Sequence, residues 1–212
     1  MVIETFPAGV LGCNCSILID PASKSAVVID PGGDFEVIRR KLEAAEARVT
    51  AIVHTHTHID HVGATAEVQR WSGAPARIHE DDRFLYEMLP VQAALLGIPL
   101  PAICDLDGDL DDGAAVTAGA IDLGVLHTPG HTPGSLCFLV KSSEGPVLFS
   151  GDTLFRRSIG RTDLWGGDSK AIKRSLKGKI LGLDDATRVV TGHGPGTTIG
   201  EERHANPYLR NG

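Results

Sequence analysis

The segment Thr55-His56-Thr57-His58-Ile59-Asp60-His61 crowds three imidazoles and a carboxylate together directly after the apolar run Thr50-Ala51-Ile52-Val53. If it starts extended, His56 and His58 point the same way and can hold one ion. Asp60 and His61 then fall past the strand end, where the chain can turn toward a second ion. Imidazole nitrogen and carboxylate oxygen suit Zn, Fe or Mn, and no cysteine stands in the segment to favour a softer metal. Three later segments offer further ligands in loops that follow strand patterns: Thr128-Pro129-Gly130-His131, Ser150-Gly151-Asp152 and Thr191-Gly192-His193-Gly194. Each sets a glycine beside the candidate ligand, as expected where the backbone turns sharply or passes close to a metal. Singly, His131 or His193 would pass as a hydrogen-bonded loop histidine, and Asp152 as a turn residue or helix cap. Together the four segments point to a metal centre.

Such ligands need strands that end where the ligands begin. Residues 14–20 and 25–30 are short β-branched runs, residues 34–47 carry helical periodicity, and residues 50–54 again read as a buried strand. Asp30-Pro31-Gly32-Gly33 is a turn, after which Asp34 is placed to cap the following helix. A second helix is expected to begin near Val62, and a third helical stretch covers residues 80–97, bent or split at Pro90. Within that stretch Phe84, Tyr86, Met88 and Leu89 read first as core, with a cover over the active site as the other reading. Strand patterns then dominate over residues 114–118, 121–128, 135–140 and 146–151, followed by a helix near residues 169–177 and a last strand at 188–192. Several of these strands lie too close together for crossover helices. A layered α/β (α+β) fold with mixed or antiparallel sheets therefore fits better than a doubly wound parallel sheet. One domain spanning residues 1–212 is the expectation for this length and an apolar fraction of 42%.

The T-H-x-H-x-D-H segment and the later P-G-H-T, G-D and G-H-G strings resemble, in order and across most of the chain, the metallo-beta-lactamase superfamily. The resemblance implies a four-layer αββα sandwich and two divalent ions, with Zn favoured over Fe or Mn. His56, His58 and His131 would bind the first ion and Asp60, His61 and His193 the second, with Asp152 and a water-derived hydroxide bridging them. Asp60 would also orient that hydroxide and handle its proton. Within the superfamily, GDTLFRRSIGRTD, GHGPGTT and the pattern from Glu202 to Asn206-Pro207 resemble glyoxalase II, hydroxyacylglutathione hydrolase, especially its compact bacterial forms. That implies a hydrolase whose small-molecule substrate is hydroxyacylglutathione or a related thioester. Arg161 would stand where a basic residue grips a glutathione carboxylate, although a surface ion pair explains it as well. Longer glyoxalase II enzymes carry a helical extension with further basic contacts, whereas this chain stops soon after Tyr208. Persulfide dioxygenases share the GRTD string and would use one iron on His56, His131 and Asp152. The complete second ligand set and the G-H-G form favour the two-metal hydrolase.

A formal net charge of -7 gives no general attraction to phosphate backbones or anionic lipid, and no basic stripe is evident. No nucleic-acid partner is expected, which ranks a nuclease activity low. The start of the chain has neither a basic opening nor a long apolar run, so a cytoplasmic protein without a membrane anchor is expected. Cys13, Cys15, Cys104 and Cys137 show no C-x-x-C spacing and read as reduced and mostly buried, with Cys13 and Cys15 packing on one face of a strand. Asp105-Leu106-Asp107-Gly108-Asp109 begins like a calcium loop, but Leu110 and Val116 stand where Gly and Glu belong, leaving an acidic turn. His54, His79, His127 and His204 fall outside the motifs. His54 reads as a strand-end residue behind the ligands; His127 is near enough to support the loop of His131, but it reads first, like His79 and His204, as a packing or surface residue.

Overall fold

The β-branched and apolar runs pair into two sheets in the computed structural model, which describes residues 1–107 and 110–209. The first sheet holds β1 (Val2–Ala8), β2 (Cys13–Ile19), β3 (Ser25–Ile29), β4 (Arg48–Val53) and β5 (Ala76–Arg77) in that order. Its first three strands are antiparallel, and β3, β4 and β5 run parallel. The second sheet contains β6 (Ala115–Ala118), β7 (Ile121–His127), β8 (Leu136–Ser142) and β9 (Gly145–Gly151). A small hairpin of β10 (Leu154–Phe155) and β11 (Ser158–Ile159) follows, before β12 (Arg188–Thr191) and β13 (Thr197–Thr198) join the second sheet beyond β9. Apart from the parallel pair β9–β12, that sheet is antiparallel.

Period-two alternation gives every central strand two apolar faces, and each face finds a different partner. Leu18, Val27, Ile29 and Val53 of the first sheet bury themselves against Leu123, Phe138, Val140 and Phe149 of the second. On its outer face the first sheet packs Ile17, Val28 and Ile52 on α1 (Phe35–Ala44) and α3 (Thr65–Ser72), which supply Ile38, Leu42 and Val68. Between them in the chain lies α2 (Ile59–Val62). After a 3-10 turn at Glu80–Asp82, α4 (Arg83–Glu87) and α5 (Leu89–Leu96) pack Tyr86, Leu89 and Ala93 on Ile59 and Val62. The outer face of the second sheet lies under α6 (Ser169–Ser175), its π-helical continuation Leu176–Ile180, and α7 (Ile199–Ala205). The layers therefore run helix, sheet, sheet, helix, as expected.

Several local expectations are corrected. Asp34 does not cap α1: its φ of 53° swings the carboxylate away from the helix amides, and it accepts from Gly9 N at 2.8 Å instead. Helix begins at Ile59, ahead of Val62, and breaks before restarting at Thr65. The division between α4 and α5 falls at Met88, because Pro90 is tolerated in the first turn of a new helix where its missing N–H is no loss. Asp107 N donates to Ala76 O and Leu110 N to Ile78 O, so the acidic turn is tied to β5, while Gly108 and Asp109 lie outside the described residues. Among the described residues no helix is long and apolar enough to cross a membrane, and all four cysteines are free thiols.

Phe138 is fully buried between the sheets and pairs across β8 and β9 with Phe149. Phe138→Ala is expected to destabilise the fold by about 3–5 kcal/mol, read as a lower denaturant midpoint at unchanged slope.

Candidate metal centre

The seven candidate ligands come from loops at one end of both sheets. His56, His58, Asp60 and His61 follow β4, His131 follows β7, Asp152 follows β9 and His193 follows β12. His131 Nε2 lies 3.2 Å from His56 Nε2 and 3.0 Å from His58 Nδ1. Beside this trio, His193 Nε2 sits 3.0 Å from Asp60 Oδ2, which is 3.9 Å from His61 Nε2. Asp152 stands between the two groups, its Oδ2 3.6 Å from His131 Nε2 and its Oδ1 3.5 Å from His61 Nε2. The arrangement is two adjoining clusters joined by one carboxylate.

Backbone and buried side chains fix which nitrogen of His56, His61 and His131 faces inward. Asp30 accepts from Thr55 N at 2.7 Å and from Thr55 Oγ1 at 2.6 Å. With its proton so used, the Thr55 hydroxyl can only accept from His56 Nδ1 at 3.1 Å. Asp30 Oδ2 also lies 3.0 Å from His61 Nδ1. One buried carboxylate thus turns the Nε2 lone pairs of both His56 and His61 into the site. His131 Nδ1 donates to Arg161 O at 2.8 Å, with the same result. Asp82 ties the two loops of the trio together, accepting from Thr57 N, Thr132 Oγ1 and Gly134 N at 3.1, 2.9 and 2.6 Å. Gln92 of α5 accepts from Ile59 N at 2.9 Å, and Asn14 Nδ2 donates to Thr191 O and Gly194 O around His193. A Cβ on Gly192 would come within 2.0 Å of Asp152 Oδ1, so a side chain is excluded there.

These donors fit divalent cations. Lone pairs of neutral imidazoles held about 3 Å apart repel unless a cation lies between them. His61 Nε2 and Asp152 Oδ1, which face each other at 3.5 Å, are buried polar atoms without a hydrogen-bond partner, where burial without compensation is costly. Burial holds His56 well below the usual histidine range, lowers His131, and brings His58 down to about 3. The trio is therefore neutral and ready to ligate. In the second cluster burial opposes protonation of His61, but the Asp30 and Asp60 carboxylates act against it and the imidazole is raised well above its ordinary range. The Asp60 carboxylate raises His193 in the same way. Burial also works against the charge of Asp60, yet His61 and His193 hold its carboxyl below the ordinary range.

The other histidines lie outside the two clusters, whereas the Cys13 thiol adjoins His61 and His193. His54 is buried between Arg77 O and Thr65 Oγ1. His127 Nε2 donates to Pro133 O at 2.8 Å and so supports the loop of His131, a closer tie to the site than a packing or surface role. His79, Asp81 and His127 bring ligand atoms together, but the two rings stack 3.9 Å apart at 14°. An ion between them would lie off both ring planes, where no lone pair points. Cys13 Sγ lies 3.4 Å from His61 Nδ1, on the side of the ring facing Asp30, and burial pushes its thiol up to about 12. Arg161 pairs through its side chain with Asp163 at 2.7 Å while its carbonyl serves His131. Asp30, Asp82, Gln92 and Asn14 were not singled out from the sequence. Only Asp30 carried a signal, as a carboxylate at a strand end next to the ligand-bearing strand.

Asp152→Ala is expected to lower metal content at both positions, and His193→Ala mainly at the second, by elemental analysis of purified protein. Raised His61 and His193 carry more proton near neutral pH than ordinary histidines, which a cation must displace, whereas the trio is lowered. Calorimetry in buffers of different ionisation enthalpy should therefore find more protons released by the second metal than by the first. Affinity for the second should fall as pH drops from 8 to 6, more steeply than for the first.

Residues 8–193 match the family model of the metallo-beta-lactamase superfamily. The chain is 37% identical over 216 residues to the hydroxyacylglutathione hydrolase GloC of Haemophilus influenzae, spanning 99% of this chain and 98% of that one. A crystal structure of the BLEG-1 B3 metallo-beta-lactamase superposes with a TM-score of 0.91 at 38% identity, covering 99% of this chain and 100% of that one. TTHA1623, crystallised in a di-iron-bound form, superposes with a TM-score of 0.85 at 37% identity and the same coverage. The sandwich of sheets is that of this family, and the chain belongs to the metallo-beta-lactamase superfamily.

Proposed function

We propose that the chain is a metal-dependent thioesterase of the glyoxalase II kind, cleaving hydroxyacylglutathione or a related small-molecule thioester. The observation that carries the reading is the convergence of seven N and O ligands into two clusters about Asp152, four of which, His58, Asp60, His131 and Asp152, line a pocket that Arg161 also lines. His56, His58 and His131 would hold one divalent ion and Asp60, His61 and His193 the other, zinc being the first choice for this ligand set. Two such ions supply Lewis acidity, which makes hydroxide available near neutral pH and stabilises the oxyanion of an attacked carbonyl. The similarity to GloC supports a thioester, and the di-iron form of TTHA1623 keeps iron in contention for the metal.

The protein's own groups fit this reaction. Asp60 lines the pocket beside His58 and His131, and its carboxylate would accept a hydrogen bond from an attacking water and so orient it. A thiol ionises at about 8.5, so a thiolate can depart without a proton donor. Arg161 and Asp163 expose 60% and 69% of their side chains, and a pair so open to solvent holds only weakly. Exchanging Asp163 for a substrate carboxylate therefore costs little. We assign the substrate a carboxylate on its thiol side and the protein a place in the cytoplasm.

The test combines metal analysis, thiol release, oxygen consumption and hydrolysis of a β-lactam on one preparation. Two zinc equivalents with thiol release are the expected result. One iron with oxygen uptake on glutathione persulfide would select the dioxygenase, and ring opening without thiol release would select a lactamase. Arg161→Ala should raise KM for a glutathione thioester severalfold, and leave a small neutral ester little affected.

A further inference from the structure

The pocket over the metal ligands has a volume of about 390 Å³, and its walls away from those ligands are mainly apolar. Leu11, Leu95, Leu96, Leu164 and Trp165 form them, and Arg161 is their charged member. A second groove of about 280 Å³ shares Leu11, Ile59 and Asp60 with the first and runs on past Ile98 and Leu100. Leu95 is 67% exposed, Leu96 49% and Leu11 43%. A surface helix ordinarily turns charged residues outward, yet α5 reads Leu-Pro-Val-Gln-Ala-Ala-Leu-Leu and contains none. Its polar residue, Gln92, faces inward and is engaged with Ile59 N and Leu85 O. Apolar side chains left in water beside a set of polar ligands are the usual make-up of a small-molecule groove.

Resting on the thioesterase reading, we propose that the acyl group of the substrate is an apolar chain of several carbons, laid against Leu11, Leu95 and Leu96. The thiol-bearing arm has Arg161 as its charged partner. The side chains of Leu11, Leu95 and Leu96 offer no hydrogen-bond partner, so a short hydroxylated acyl group laid on them would lose water without compensation. An alkyl chain would instead cover the exposed leucines and gain from every methylene removed from water. Continuity with Asp60 and His58 ties this occupant to the reacting centre. The specificity-determining residues are thus those at the C-terminal turn of α5 and the tip of the β1–β2 connection.

The test uses metal-loaded protein and a series of acetyl, butanoyl, hexanoyl and octanoyl thioesters of glutathione. Because the groove is open on one side, each methylene is partly buried, and kcat/KM should rise about tenfold from acetyl to hexanoyl. In a Leu95→Ser, Leu96→Ser double variant, whose altered positions are exposed enough to spare the fold, the hexanoyl-to-acetyl ratio should fall toward one. Leu95→Ile, Leu96→Met should retain it. In parallel, acetate to octanoate are titrated against Trp165 fluorescence in a Trp71→Phe background, which reads binding without hydrolysis. Hydrolysis with a flat chain-length profile would overturn the apolar-acyl proposal and leave the thioesterase intact. Absence of hydrolysis, with carboxylate affinity that rises with length and is lost in the serine variant, would overturn the thioesterase and support the groove. Flat profiles in both measurements overturn the proposal. So would a concentration-dependent dimer dissolved by the serine variant, since a second copy would then be what covers these leucines.

Discussion

Neither sheet of this protein owns a complete ligand set. Four candidate ligands follow β4 of the first sheet, and the other three follow β7, β9 and β12 of the second. The centre therefore exists only while the two sheets stay stacked, and the core of Leu18, Val27, Val53, Phe138 and Phe149 between them sets the spacing of the ligands. Close packing makes that spacing stiff, because interiors of this density transmit small changes in volume. Direct ties across the seam reinforce it, among them Leu136 N on Thr55 O at 2.7 Å and Asn14 N on Gly192 O at 2.7 Å.

Within that frame, buried carboxylates do the aiming. Asp30 acts on His56 through Thr55 and on His61 directly, so one residue sets the orientation of a ligand in each cluster. Asp82 couples the His56–His58 loop to the loop of His131, and burial pushes its carboxyl up to about 6 against three donors. Both residues accept hydrogen bonds from ligand loops without entering the pocket themselves. Precision of the centre thus rests on groups that touch neither metal nor substrate.

The ligand segments could be read from the sequence because their chemistry is local: His56 to His61 is dense, and His131, Asp152 and His193 each follow a strand pattern beside glycine. The layers were legible for a similar reason, since central strands buried on both faces announce themselves as β-branched runs. Strand β1 was not, because it is an edge strand with half-exposed residues and a proline at position 7. Helix α7, with Ile199 and Glu202 buried, carries too short an apolar pattern to register. Asp34 misled because a cap is recognised by residue type while its geometry depends on φ, which Gly9 and the turn decide. Asp82, Gln92 and Asn14 escaped since each acts across 25 to 180 residues of chain, and no spacing rule reaches so far.

The thiol of Cys13, buried behind His61, has one more bearing on the centre. Peroxides attack thiolates, and a sulfur kept neutral and out of contact with solvent offers them little. With its inward-facing positions filled by nitrogen and oxygen donors, the centre would not be disarmed by an oxidant as a thiolate-ligated one is. A cell under peroxide stress would still have a working copy of this protein, provided the bound ions themselves do not change valence.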